Sequence, residues 1–148
     1  EIRATDGVIS AIDMMLHDYG PDRYSGSVNI EIDHKRSIGE VYEEIHRLQL
    51  RIMEEYHVTM VFGIYAVDED TSSVVDIRRY IGKFVRVNEH VMSFHALYLS
   101  KGTNTLYCGF IVDYALRDWE GLRKSFTDYM KKQYPECEIS LTIETEFV

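Results

Sequence analysis

The sequence predicts an α+β fold built from two tandem units, each with helices on one face of a small three-stranded sheet. Some segments alternate apolar and polar residues, as half-buried strands do, and others repeat apolar residues at intervals of three and four, as amphipathic helices do. The same order of segments (helix, strand, strand, helix, strand) occurs twice, which indicates an internal duplication. A polar segment at residues 68–73 separates the copies, and we place the units at residues 1–69 and 70–148.

The first unit begins with a predicted helical lead-in at residues 2–10. The alternation that predicts its first strand sets Ile12, Met14 and Leu16 against Asp13, Met15 and His17. Gly20 and Pro21 predict a turn. Alternation resumes at residues 28–33, so we expect the two strands to form a hairpin.

A long helix and a third strand complete the first unit. Ser37 and Glu40 form the Ser-x-x-Glu pattern of a capping box at the start of the helix. The predicted apolar face of this helix consists of Ile38, Val41, Ile45, Leu48, Ile52 and Tyr56. Residues 57–67 are rich in Val, Met, Phe, Ile and Tyr, which predicts a strand.

The second unit repeats this order. Ser73 and Asp76 predict a cap for a helix whose apolar face is Val74, Ile77, Ile81 and Phe84. The next predicted strand sets Met92, Phe94, Ala96 and Tyr98 against Ser93, His95 and Leu97. Further alternation predicts strands around Phe110 and Leu141, and the helix between them buries Leu116, Trp119, Leu122, Phe126, Tyr129 and Met130.

Composition excludes several classes of protein. The formal net charge of −9 argues against nucleic-acid binding, which requires a basic patch. No apolar run reaches the ~20 residues of a membrane helix, and the chain begins with Glu1 rather than Met, so we expect a soluble fragment of a longer protein. Cys108 and Cys137 form no CxxC pair; free thiols are the expectation, and a single disulfide stays open.

The sequence lacks the motifs of common enzymes, and we predict that the chain is not one. It contains neither a Gly-rich phosphate loop nor a GxSxG elbow. Cys108 lies among alternating apolar residues, which is typical of a core position rather than of a nucleophile.

Residues 6–67 resemble the cytoplasmic C-terminal domain of the cation diffusion facilitators, a family of proton-coupled exporters of divalent metals. The resemblance depends on Asp6-Gly7-Val8, Asp13, His17, Tyr19-Gly20-Pro21, Ser27 and the pattern Glu31-x-Asp33. It implies a ferredoxin-like, metallochaperone-like αββαβ unit at the cytoplasmic face of the membrane, forming a homodimer below its own transporter membrane domain. Residues 70–148 resemble a second, diverged copy.

The resemblance also locates a metal site in each unit. In the first unit the family's histidine and aspartate ligands correspond to Ile12, Asn29, Tyr42, Gly63 and Tyr65, and Asp13 alone remains. In the second unit His95 falls at the first-strand histidine, Glu120 near the helix histidine, and Thr142 and Glu144 near the closing pair. A histidine with carboxylates suits zinc, manganese or iron.

Residue types alone suggest one further candidate site. Asp13 and His17 lie on one strand face, and Glu31 and Asp33 lie on the polar face of the neighbouring predicted strand. Together they suit a divalent cation at a dimer interface. The alternative is a solvated acidic sheet face. His34, His46, His57 and His90 occur singly, as ordinary surface histidines do. The candidate metal ligands are thus Asp13, His17, Glu31, His95, Glu120 and Glu144.

Three functions follow from these observations. The first is the regulatory and dimerisation domain of a divalent-cation exporter, with or without metal sensing. The second is a ferredoxin-like regulatory module that binds a small molecule between paired sheets. The third is a purely structural dimerisation domain, which the loss of the usual histidines keeps open.

Overall fold

The chain folds into two compact α+β units, and the predicted fold class is confirmed. The structure is a computed structural model that describes residues 2–68 and 71–145. The boundary falls between Val67 and Asp68, two residues before the predicted one. Each unit contains one three-stranded sheet with the middle strand antiparallel to the first and parallel to the third.

The first unit contains three strands, one long helix and a short leading turn. Its elements are a 3-10 turn (Ile2–Ala4), β1 (Val8–Asp18), β2 (Tyr24–Asp33), α1 (Ile38–Tyr56) and β3 (Val58–Val67). The predicted helix at residues 2–10 was wrong beyond Ala4. A turn follows in which Gly7 has φ +80°, a conformation that glycine adopts without strain, and β1 then begins.

The second unit has the same topology with a full first helix. Its elements are α2 (Ser72–Val87), β4 (Val91–Ser100), β5 (Thr105–Val112), α3 (Trp119–Gln133) and β6 (Glu138–Thr145). α2 packs against β4 and α3 against β6. The predicted cap at Ser73 was wrong, because Ser73 lies inside α2 and Thr71 is the N-cap residue.

The capping box that Ser37 and Glu40 predict is confirmed, with both reciprocal hydrogen bonds formed. α1 covers β2 and β3 through Val41, Leu48 and Ile52, which are buried against Val28, Ile30, Ile32 and Met60. Ile38 and Tyr56, predicted on the same apolar face, are instead exposed at the two ends of the helix.

The core of the second unit is larger and rich in aromatic rings. All four predicted core residues of α2 are buried, and Phe84 packs edge-on against Phe126 at a ring-centroid distance of 5.2 Å. Tyr80 and Tyr129 stack at 4.2 Å, and each hydroxyl donates a hydrogen bond to the other's backbone carbonyl. This reciprocal pair fastens α2 to α3.

A β-bulge recurs at the same place in the first strand of each unit. The pairing of β1 with β2 shifts between Ile12 and Met15, where Asp13 has φ +53°. The pairing of β4 with β5 shifts between His95 and Tyr98, where Ala96 has φ +52°. Each bulge inserts one extra residue in the left-handed region, so the side chains beyond it exchange faces.

The bulges explain where the predicted strand alternation was wrong. Leu97, predicted to share a face with His95, is fully buried on the helix side, whereas Tyr98 pairs with Tyr107 on the opposite face. Likewise Ile12 lies opposite Asn29 on the face away from the helix, whereas Met14, which was predicted to share its face, lies on the helix side.

Across the described parts of the chain, no helix combines the length and apolar character needed to cross a membrane.

We expect Ala96→Gly to leave the free energy of unfolding unchanged or to raise it by up to about 1.5 kcal/mol. A non-glycine residue in the left-handed region costs about 1–2 kcal/mol, and glycine relieves this strain. About 0.5–1 kcal/mol of the gain is lost, because glycine increases the conformational entropy of the unfolded chain. Ala66→Gly, in β3 outside the positive-φ positions, is the matched control and should lose about 0.5–1 kcal/mol. Urea titration compares them; equal losses would contradict the assigned bulge.

Candidate functional site

The candidate ligands of the first unit lie on the face of the sheet turned away from α1, here called the far face. Asp13 accepts a hydrogen bond from the Asn29 side chain (3.2 Å), and Glu31 accepts one from the Ser10 hydroxyl (2.6 Å). His17 lies opposite Ser25. Since Asn29 and Ser25 are four residues apart on β2, Asp13 and His17 are separated by about 13 Å along the sheet. The predicted common face is present, but its two ends are distant.

The first unit does not fit a metal ion at the positions that the resemblance assigns to ligands. Ile12 lies opposite Asn29, and Asn29 lies opposite Gly63. These three positions therefore form one row across the sheet, yet they offer a hydrocarbon, an amide and no side chain. A Cβ atom at Gly63 would collide with Oδ1 of Asn29, so this amide occupies the space above the glycine.

The second unit does bring two candidate ligands together. His95 on β4 lies opposite Gly109 on β5, and Gly109 lies opposite Thr142 on β6. Glu144 lies two residues further along β6, opposite Ile111. His95 Nε2 is 3.9 Å from Glu144 Oε2. Two donor atoms that each lie about 2.1 Å from one zinc ion are about 3.4 Å apart at the tetrahedral angle and can be at most about 4.2 Å apart. The observed separation lies between these two values, so one ion can reach both atoms.

Gly109 is what allows this pair to meet across the middle strand. A Cβ atom at Gly109 would collide with the His95 imidazole, with Cε1 at 2.7 Å and Cδ2 at 2.9 Å. The ring therefore lies over Gly109 on β5, and it is only 6% exposed, whereas the Glu144 side chain is 25% exposed. The pair links the two outer strands of the sheet over a position that carries no side chain.

Glu120 lies apart from His95 and Glu144. It belongs to the first turn of α3, on the helix side of the sheet, its side chain is 85% exposed, and Oε1 is 3.6 Å from Nε of Arg123. Taken one unit at a time, the described residues contain no three His, Cys, Asp or Glu side chains with ligand atoms all within 4.8 Å. An ion held within the second unit would thus have two protein ligands, with water completing its shell.

Sequence reasoning missed a second histidine–carboxylate pair. His90 and Asp113 flank the β4–β5 hairpin, and His90 Nδ1 is 3.1 and 3.0 Å from the two carboxylate oxygens. The hydrogen bond that the Asp113 carboxylate accepts from the His90 imidazole raises the pKa of His90 and lowers the pKa of the carboxyl group. The available signal was their position in the sequence. His90 directly precedes the first strand of the hairpin and Asp113 directly follows the second, so both lie at its open end.

The remaining histidines and the cysteines take structural roles. His34 Nδ1 is 3.2 Å from the Val67 carbonyl, His46 stacks on Tyr42, and His57 ends α1 with φ +56°. Both cysteines are free and buried. Burial raises the pKa of Cys108 to about 12, so its thiol is not a nucleophile at neutral pH.

No model of a known protein family matches the chain, and no curated protein or solved structure is significantly similar to it. Its function is therefore inferred from its own residues and their geometry.

We expect Gly109→Ala to lower the free energy of unfolding by about 1–3 kcal/mol, because the new methyl group overpacks against the His95 ring. Gly82→Ala in α2 is the matched control, since a Cβ atom there meets nothing within 4 Å; it should gain about 0.5–1 kcal/mol. Urea denaturation measures both. If Gly109→Ala left both the free energy of unfolding and the NMR resonance of the His95 imidazole unchanged, the packing of the ring over β5 would be contradicted.

We expect the His90–Asp113 pair to stabilise the protein most between about pH 4 and 6.5. The raised pKa of His90 means that its contribution is complete below its ordinary value of 6.5 and is lost as pH rises through the folded value. The lowered pKa of Asp113 means that its contribution is present above 3.8 and is lost as pH falls through the folded value.

NMR titration of His90 tests this pair directly. Asp113→Asn should return the pKa of His90 towards 6.5, while Glu89→Gln, which removes a weaker and more distant charge, should move it less. Equal shifts in the two variants would be inconsistent with the observed hydrogen bond.

Proposed function

We propose that this chain is the cytoplasmic regulatory and dimerisation domain of a divalent-cation exporter, and that its second unit binds the regulatory metal ion. The resemblance of residues 6–67 to the cytoplasmic domain of the cation diffusion facilitators supports the first part. The pair formed by His95 and Glu144, 3.9 Å apart, supports the second and is the observation that carries the metal role.

The proposal divides two tasks between the units. The first unit retains the family's sequence pattern but has Ile12, Asn29 and Gly63 in its ligand row. The second unit has lost most of that pattern but has His95 in the equivalent row and Glu144 two residues further along β6. We therefore assign dimerisation and attachment to the membrane domain to the first unit, and ion sensing to the second.

The chemistry of the donors defines which ions fit. One imidazole nitrogen and one carboxylate oxygen suit zinc, manganese or iron(II), and are less suited to soft ions that prefer thiolates. A bound ion would tie β4 to β6 across β5 and so stiffen the sheet. Because the imidazole must be neutral to coordinate, protons compete with the ion and binding should weaken at acidic pH. Binding would bias the attached transporter towards one of its conformations.

Isothermal titration of the full chain with zinc, manganese and iron(II), the last without oxygen, tests the metal role. We expect one site in the second unit, and at least about a 10-fold loss of affinity in His95→Gln and in Glu144→Gln, since each removes a direct ligand. His17→Gln and Glu120→Gln are matched controls that should bind as the native chain does. Unchanged binding in His95→Gln, or no binding to a folded native chain, would overturn the proposal.

A purely structural dimerisation domain is the second candidate. This candidate is favoured by the first unit, which has Ile12, Asn29 and Gly63 at positions where the resemblance implies metal ligands. Thermal-shift measurements with metals and with metabolites on one plate separate the candidates: metals alone shift a sensor, metabolites alone shift a small-molecule module, and neither shifts a structural domain.

A further inference from the structure

The solvent side of α1 is divided into a charged and an uncharged half. At about 100° per residue, all the Glu and Arg side chains of the helix fall within one arc of about 120°. A second arc carries the buried residues. The third arc, here called the α1 flank, consists of Tyr42, His46, Gln49, Leu50 and Met53. Tyr42 is 64% exposed, Leu50 51% and Met53 41%, and such neighbouring exposed apolar side chains mark an interaction surface.

The α1 flank lies above the open edge of the first sheet. Gln49 Nε2 donates a hydrogen bond to the Met60 carbonyl of β3 (3.0 Å). In the part of the chain that the structure describes, β3 pairs with β2 alone. Ile64 lies opposite the buried Ile30, on the helix side of β3, yet it is 41% exposed. Flank and strand edge therefore form one surface, here called the α1–β3 surface.

β3 lacks the features that keep an edge strand from pairing with another chain. It is ten residues long and contains neither a charged residue nor a proline. Proteins commonly protect exposed edges with charged side chains, with proline or with short strands. The backbone groups on the outer side of β3 are therefore open to a further strand.

The second unit shows the same edge in a protected form. Arg123 donates a hydrogen bond to the Leu141 carbonyl of β6, so the corresponding side of α3 also faces the strand edge. β6 carries Glu138 and Glu144, and Trp119 is the one large apolar side chain of α3 that is exposed, at 37%. The helical angles that correspond to the α1 flank are occupied by Glu120, Arg123, Lys124 and Lys131. One fold thus carries charge at this edge in one unit and none in the other.

We propose that the α1–β3 surface binds a second copy of this chain. A twofold axis perpendicular to the sheet pairs β3 with β3 of the other copy in antiparallel fashion and packs the two α1 flanks side by side. A twofold interface must be complementary to itself. The α1 flank meets this condition, because it brings no like charges together, whereas the acidic arc of α1 would set glutamates against glutamates.

Charge also favours an identical chain over other partners. Two copies with a net charge of −9 repel one another, so they can approach closely only where the surface is uncharged. A basic partner would instead be drawn to the acidic surface elsewhere. The inference deepens the dimerisation role proposed above and rests on it for its purpose, whereas the metal role is independent of both.

The size of the surface sets the expected affinity. α1 has 19 residues and is about 28 Å long, and a helix about 10 Å wide on a strand gives an area on the order of 400–600 Å² per copy. Interfaces of this size belong to weak, reversible complexes. We therefore expect a dissociation constant on the order of 1–100 μM.

Sedimentation equilibrium of the full chain, from about 1 μM to about 1 mM, brackets that affinity. Tyr42→Glu and Leu50→Glu each add a carboxylate to both copies at the proposed interface, and each should weaken dimerisation at least about 10-fold. The matched controls, Tyr114→Glu and Val87→Glu, add the same charge at exposed positions of the second unit (59% and 80%) and should dimerise as the native chain does. All four side chains are exposed, so each variant should fold, which circular dichroism checks.

Hydrogen exchange tests the strand pairing separately. The backbone amides of β3 should exchange more slowly as the concentration of the native chain rises, and Leu50→Glu should remove this dependence. A native dimer that the α1 variants leave intact, that all four variants weaken equally, or whose β3 amides exchange as fast as those of the monomer would overturn the proposed surface and leave the dimerisation role standing. A native chain that stays monomeric throughout would overturn both.

Discussion

The bulge in the middle of the first strand of each unit determines which residues beyond it lie on each face of the sheet. Asp13 and Ala96 adopt φ values of +53° and +52°, and each turns the strand over at that point. Before the bulge, Ala11 and Phe94 face the helix side; after it, Met14 and Leu97 do. The residues just before each bulge, Ile12 and His95, face away from the helices towards the middle strand. The positions of Met14 and Leu97 on the helix side of their sheets both follow from this local geometry.

The two units differ in the residue of the middle strand that lies beside the bulge. The first unit has Asn29 opposite Ile12, and the second has Gly109 opposite His95. An amide at this position binds Asp13 and fills the space over the sheet. A glycine leaves the space to the His95 ring, which then reaches the carboxylate of Glu144 on the far strand. The first unit thus has an amide–carboxylate hydrogen bond on this surface, and the second has a histidine–carboxylate pair.

Much of the fold could be predicted from periodicity and cap signals, because these are local. The Ser37–Glu40 box and the four core residues of α2 are where the sequence indicates. The bulges could not be predicted, since a residue in the left-handed region leaves no signal when it is Asp or Ala rather than Gly. Leu97 was therefore predicted on the same face as His95, and Met14 on the same face as Ile12, and both predictions were wrong. The pairing of His95 with Glu144 was partly accessible through the repeat, whereas that of His90 with Asp113 depends on strand lengths.

The proposed function requires that His95 and Glu144 together bind a divalent ion across β5. The imidazole nitrogen spectrum of the full chain, with all histidines labelled, can be followed as zinc is added. We expect the Nε2 signal of His95 to shift first and in proportion to the ion bound, and this shift to disappear in Glu144→Gln. A His95 signal that stays in place while other histidines respond, or that responds equally without the carboxylate, would contradict it.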